Sequence, residues 1–220
     1  MMKTRQLLTV LCGGFLALPA AGAVFTAIPS PDASYLASTT YIDFSPLSDF
    51  ADVSSVTDGL LTLTFSSSGS KRTVPGSWAT WSVAPDSQRQ PGDTLPVLYF
   101  ADTSVSIALS QGVAIFGFEA EPDPFNTFAM TANFYDATST LLGSISRSVD
   151  GYSGARLFAA ASSPIWRVDF SCDGCDFAIG AFRYGLEGGT ETPIPEPASS
   201  ALLGVGLGSV VLLRHVRRTF

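Results

Sequence analysis

The chain has 220 residues, of which 14% are charged and 46% hydrophobic, with 20 glycines and 14 prolines. This balance excludes a charge-rich disordered chain and a coiled coil, and a formal net charge of −7 argues against a nucleic-acid partner. The one histidine, His215, stands close to the C-terminus, so a Ser-His-Asp triad, a Cys-His dyad or an H-E-x-x-H zinc site cannot be built in the body of the chain.

Residues 1–23 read as a secretory signal peptide. Lys3 and Arg5 supply the positive start, and the run from Leu7 to Leu18 is apolar except for Thr9, Gly13 and Gly14. Ala21-Gly22-Ala23 is a small-x-small cleavage site. Cys12 lies inside this segment and leaves with it.

Residues 24–187 read as one all-β domain. Short runs of Val, Ile, Phe, Tyr and Thr recur between Gly, Pro, Asp and Ser. The expected strands are Thr39 to Phe44, Gly59 to Ser66, Trp78 to Val83, Val97 to Phe100, Ser104 to Leu109, Val113 to Glu119, Thr127 to Tyr135, Thr140 to Ser146, Ala155 to Ala160, Ile165 to Ser171 and Phe177 to Tyr184. In Leu61-Thr62-Leu63-Thr64-Phe65 the odd positions are apolar, as a half-buried strand requires. No long segment has helical periodicity with caps. Roughly ten short strands with frequent turns predict a two-sheet antiparallel β-sandwich of jelly-roll type. Lys71 and Arg72 fall beyond the second of these runs and read as a loop tip.

Several features in this body bear on chemistry. Trp78, Trp81 and Tyr99 are candidates for an aromatic platform against a sugar ring, although the commoner fate of a tryptophan in a small sandwich is the core. Glu119-Ala120-Glu121-Pro122-Asp123-Pro124 offers two carboxylates at strand spacing, which could serve a calcium ion or a glycoside hydrolase. The run lacks the D-x-[DN]-x-[DN]-G calcium pattern, and a solvated, proline-stiffened loop is the plainer reading. Asp43, Asp169 and Asp176 lie in or beside strands and are the candidates for a structural Ca²⁺, by fold analogy only.

Cys172-Asp173-Gly174-Cys175 places a two-residue turn signal between cysteines, which predicts a hairpin with the sulfurs facing across it. In an exported chain these are the cysteines that outlast the signal, and a structural disulfide follows. A redox C-x-x-C would need a helix start in a thioredoxin-like unit, and a zinc site would need two more soft ligands.

The end of the chain is built in three parts. Residues 188–197 are a Gly/Thr/Pro linker. Residues 198–213 are apolar and uncharged, a span that rises about 24 Å as a helix, short of the roughly 30 Å hydrocarbon core. Residues 214–220 hold Arg214, Arg217 and Arg218, which by the positive-inside rule stay cytoplasmic and leave the body outside. A product ending at Pro195 would carry 18 acids and 7 bases, or −11.

Pro195-Glu196-Pro197-Ala198, the short Gly-rich span and the terminal arginines together resemble a PEP-CTERM sorting signal. The stretches Val113 to Glu119, Gly154 to Phe158 and Asp176 to Tyr184 resemble segments of exported jelly-roll domains that carry such tails. The resemblance implies a Gram-negative bacterium that makes exopolysaccharide. It also implies an exosortase-type membrane protease as partner, with Pro195, Glu196 and Pro197 as its recognition residues. The chain would hold briefly to the inner membrane and then pass to the cell surface or the extracellular matrix of a biofilm. The expected role is non-enzymatic: structural, adhesive or glycan-contacting, with exopolysaccharide the expected partner and no cofactor beyond a structural Ca²⁺. The alternatives are a jelly-roll glycoside-active enzyme using Glu119 or Glu121, and a permanently anchored surface receptor.

Overall fold

The computed structural model describes residues 24–187. The expected signal peptide, linker, membrane span and basic tail, with Pro195, Glu196 and Pro197, lie outside the described residues. Within them, no helix is long and apolar enough to cross a membrane.

The chain is all-β and antiparallel. In order it forms β1 (Thr26–Ile28), α1 (Ala33–Ser38), β2 (Thr40–Tyr41), β3 (Asp52–Thr57), β4 (Thr62–Val74), β5 (Leu95–Phe100), β6 (Ser104–Pro122), β7 (Thr127–Tyr135), β8 (Leu141–Asp150), β9 (Arg156–Cys172) and β10 (Phe177–Gly185). Hydrogen bonding is continuous, and three long strands serve both layers of the sandwich. One layer runs β3-β4-β6-β9-β7-β8, using residues 62–65, 104–109 and 165–172 of the long strands. The other runs β4-β5-β10-β6-β9-β1, using residues 70–74, 115–122 and 156–161, with β2 beside the end of β10.

The crossings explain why the sequence splits strands that are whole. Ser110-Gln111-Gly112 in β6 and Ser162-Ser163-Pro164 in β9 read as turns. They are instead the places where one strand leaves the first layer for the second. The β6–β9 register shifts there, between Ala108 and Val113 and again before Ile115. An irregularity of this kind bends a strand without ending it.

The core between the layers is rich in phenylalanine. Phe118 sits at its centre, edge-on to Phe170 at 5.1 Å and stacked with Phe158 at 6.0 Å. Phe100, Phe116, Phe177 and Phe182 fill the space around them.

The two layers differ in their outer faces. The first alternates buried and open positions, as in β7, where Met130, Ala132 and Phe134 point inward. The second is covered on both faces, so residues 116–122 of β6 are buried without interruption. Two covers do this. The helix α1, capped when Asp32 Oδ1 accepts from Tyr35 N–H at 2.8 Å, lays Tyr35 on Leu157 and Ala159. Gly117 permits that approach, since a Cβ there would lie 2.6 Å from Tyr35 Oη and collide with the Cβ of Ala159. The connection between β4 and β5, residues 75–94, packs Trp78 and Trp81 against Val74, Leu95, Val97, Ala155, Ala178 and Ala181.

The expected strand Trp78 to Val83 therefore does not form. Tryptophans three residues apart would face opposite ways on an extended strand, and here both indoles turn to the same sheet. Lys71 is likewise no loop tip. It is a buried residue of β4 whose ammonium donates to Asp49 Oδ1 at 2.5 Å and to Thr73 Oγ1 at 2.6 Å.

Candidate functional site

The second layer's covered face carries most of the unusual chemistry. Glu119 and Glu121 leave β6 on the same side, as their two-residue spacing requires. They are not in a solvated loop: their exposures are 1% and 0%. Glu119 accepts from Trp81 Nε1 at 2.9 Å, Ser87 Oγ at 2.5 Å and Gln88 N–H at 2.7 Å. Glu121 accepts from Trp78 Nε1 at 2.8 Å, Thr80 Oγ1 at 3.2 Å and Gly154 N–H at 3.0 Å. The two carboxyl groups thus pin the 75–94 cover, and Glu121 also holds the start of β9's approach.

Burial disfavours the charged form of both groups and outweighs the donors that favour it. Glu119 is pushed above the ordinary carboxyl value. Glu121 is raised to about 7. Such values suit a general acid, yet every carboxyl oxygen already holds a protein donor and none reaches solvent. The sequence signal that would have revealed this role is the pairing of two alternate glutamates with two tryptophans, which spacing within one segment does not show.

Trp78 and Trp81 are buried, so they offer no face to a sugar. Tyr99 is half-buried, rests beside Trp78 with ring centroids 5.8 Å apart, and donates to Asp176 Oδ2 at 2.6 Å. An exposed aromatic pair lies elsewhere and was not expected from the sequence. Phe125 and Tyr152, 55% and 64% exposed, stack at 4.8 Å between the β6–β7 and β8–β9 connections. They are 27 positions apart along the chain, and only the shared end of the sandwich brings them together.

The three aspartates offered for calcium are not gathered. Asp43 accepts from the backbone of Ser45. Asp169 pairs with Arg167 at 3.2 Å. Asp176 takes the Tyr99 hydroxyl. Among the described residues no group of three or more His, Cys, Asp or Glu stands ready for a metal ion.

Cys172 and Cys175 are joined in a disulfide with Cα atoms 5.4 Å apart. The expected hairpin is absent, because β9 pairs with β6 and β7 while β10 pairs with β5, β6 and β2. The turn, with Gly174 at φ 75°, carries the chain from the first layer to the second. The bridge closes a very short loop, so replacing both cysteines with serine is expected to cost only about 2 kcal/mol. Denaturant titration of the variant checks this; a loss several times larger would mean the bridge holds the two layers together.

Between α1, β2 and the 75–94 cover lies a cleft of about 280 Å³ lined by Leu36, Tyr41, Gln88, Arg89, Asp93, Thr94, Leu95 and Arg183. Arg183 is fixed by its own hydrogen bonds. It donates to Gln88 Oε1 at 2.6 Å and to the Thr39 carbonyl at 2.9 Å.

No family model and no curated protein matches the chain. Solved structures give partial likenesses. The enzymatically active domain of bacteriophage CBA120 tailspike protein 4 matches at 18% identity over 57% of this chain and 19% of that one, TM-score 0.29. TmCBM61 in complex with β-1,4-galactotriose matches at 14% over 63% and 91%, TM-score 0.33. A family 6 carbohydrate-binding module matches at 10% over 56% and 87%, TM-score 0.32. The chain spans under a fifth of the tailspike domain, and no ligand or activity is carried over from likenesses of this extent.

Proposed function

We propose that the protein is an exported, non-enzymatic β-sandwich of jelly-roll type that acts in the cell envelope or extracellular matrix. Its tail is read by an exosortase-type protease, and its role is adhesive or glycan-contacting. The observation that carries this reading is the closed Cys172–Cys175 bridge. Disulfides persist where the surroundings are oxidising, which agrees with a sequence whose two ends have the grammar of export and sorting.

The glycoside-active alternative is disfavoured by Glu119 and Glu121. General acid–base catalysis needs a carboxyl group within reach of the scissile oxygen, and both are enclosed and fully engaged. For glycan contact, one surface of suitable chemistry is the Phe125–Tyr152 pair, whose open rings can lie against the apolar face of a sugar.

Replacement of Pro195, Glu196 and Pro197 by alanine tests the sorting step. The altered chain is expected to stay with the membrane fraction and keep Arg218, while the unaltered chain is released without it. Release of both in the same form, by immunoblot of culture supernatant, would contradict an exosortase substrate.

A further inference from the structure

We infer that the cleft beneath α1 is a binding site for the carboxylate of an acidic sugar residue. The inference names a ligand class for the glycan-contacting role and rests on that part of the proposed function.

Two guanidinium groups line the cleft, and among the described residues neither has a carboxylate within ion-pair distance, whereas Lys71, Arg156 and Arg167 pair with Asp49, Asp86 and Asp169. Arg183 is half-buried. Its Nε and one terminal nitrogen are committed to Gln88, Leu36 and Thr39, which leaves its other terminal nitrogen without a hydrogen-bond partner among the described residues. Among the described residues the Arg89 side chain bonds only from Nε to the Asp93 carbonyl, at 2.9 Å, and both terminal nitrogens are without a hydrogen-bond partner. A half-buried, pre-positioned guanidinium with a second lining the same cleft can bind an oxyanion through paired N–H donors. It is also unexpected on a domain whose acids so outnumber its bases.

The rest of the lining selects among oxyanions. Leu36, Leu95 and the ring of Tyr41, over which Arg183 lies at 5.7 Å, give an apolar wall. Thr94 and Gln88 add a hydroxyl and an amide. A volume of about 280 Å³ falls just below the roughly 300–1,000 Å³ of sites that enclose drug-sized ligands. A single charged sugar of a longer chain fits this combination of fork, wall and polar rim. A bare inorganic anion would use the guanidinium groups and leave the wall idle. Asp93 is the one acid in the lining and opposes the ligand's charge.

The test uses the purified full chain and trigalacturonate as probe, with its methyl ester and inorganic phosphate as controls, read by calorimetry at low salt. Trigalacturonate is expected to bind, and the ester, of the same shape without charge, to bind at least tenfold more weakly, about the value of one charged hydrogen bond. Arg89→Gln is expected to weaken binding about tenfold, since it removes a donor pair that ties down no other element. Asp93→Asn is expected to strengthen it. Arg183 is left unaltered because it also anchors α1. Equal binding of acid and ester, equal affinity for phosphate alone, or no change in Arg89→Gln would overturn the inference. Equal binding of acid and ester removes this site and leaves the glycan-contacting role standing, whereas binding of neither removes both.

Discussion

Raising the pH from 4.5 to 7 is expected to cost the folded protein about 3 kcal/mol through Glu121 alone. The folded carboxyl titrates at about 7 and the unfolded one near the ordinary 4.5. Across that interval the folded chain keeps a proton that the unfolded chain has lost. Stability is therefore complete below the lower value and declines as pH climbs toward the upper one. Glu119 acts in the same direction. At the acid end the sign reverses. Asp49, bonded to Lys71, Ser77 and Thr73, and Asp58, bonded to backbone N–H groups and Tyr184, are held below the usual carboxylate range. Their contribution fades as protonation sets in. The domain is thus expected to be most stable at about pH 4 to 5.

Glu121→Gln isolates the effect. At pH 5 the variant is expected to be less stable by about 1–3 kcal/mol, because an amide nitrogen now faces a donor that an oxygen accepted. Between pH 5 and 7 its denaturation curve is expected to move much less than that of the unaltered protein. A variant with the original slope would place the titrating group elsewhere.

The second large effect is at the centre of the core. Phe118→Ala is expected to cost about 3–5 kcal/mol, the range for deleting a buried aromatic ring. Phe118 is fully buried and meets Phe116, Phe158, Phe170 and Phe182, so collapse into the space is blocked by rings fixed on three strands, β6, β9 and β10. Marginal stability of about 5–15 kcal/mol leaves such a variant partly unfolded at growth temperature. Phe125→Ala, which removes an open ring, is expected to shift stability by no more than about 0.5 kcal/mol. Thermal melts of the two variants make the comparison. Similar losses for both would mean that the Phe125–Tyr152 stack supports the fold and is not a free surface.

The contrast between these two phenylalanines also shows what the sequence can reveal. The composition signal, a run of β-branched and aromatic residues between turn residues, located β7 with the bounds Thr127–Tyr135 and β10 within a residue, because each stays within one layer. It failed where a strand changes layer, since Ser, Gly and Pro mark a bend and a turn alike. The strand β3 was missed because Asp52-Val53-Ser54-Ser55-Val56-Thr57 has only two apolar residues, both of which are buried. The short helix α1 has too few residues for periodicity to appear. The disulfide was legible from Cys172-Asp173-Gly174-Cys175, but the partner strands were not, because pairing depends on which layer each strand enters. The glutamates misled most. A run flanked by prolines looks solvated, and only the 75–94 cover, folding back from an earlier part of the chain, buries it.

The central claim, an exported and processed β-sandwich, is tested most directly by the intact mass of the protein recovered outside the cell, taken with and without reduction. The account predicts a chain that begins near Val24, ends near Pro195, and is lighter before reduction by the two hydrogens of one closed cystine. A full-length chain confined to the cytosol, with Cys172 and Cys175 both free, would contradict it.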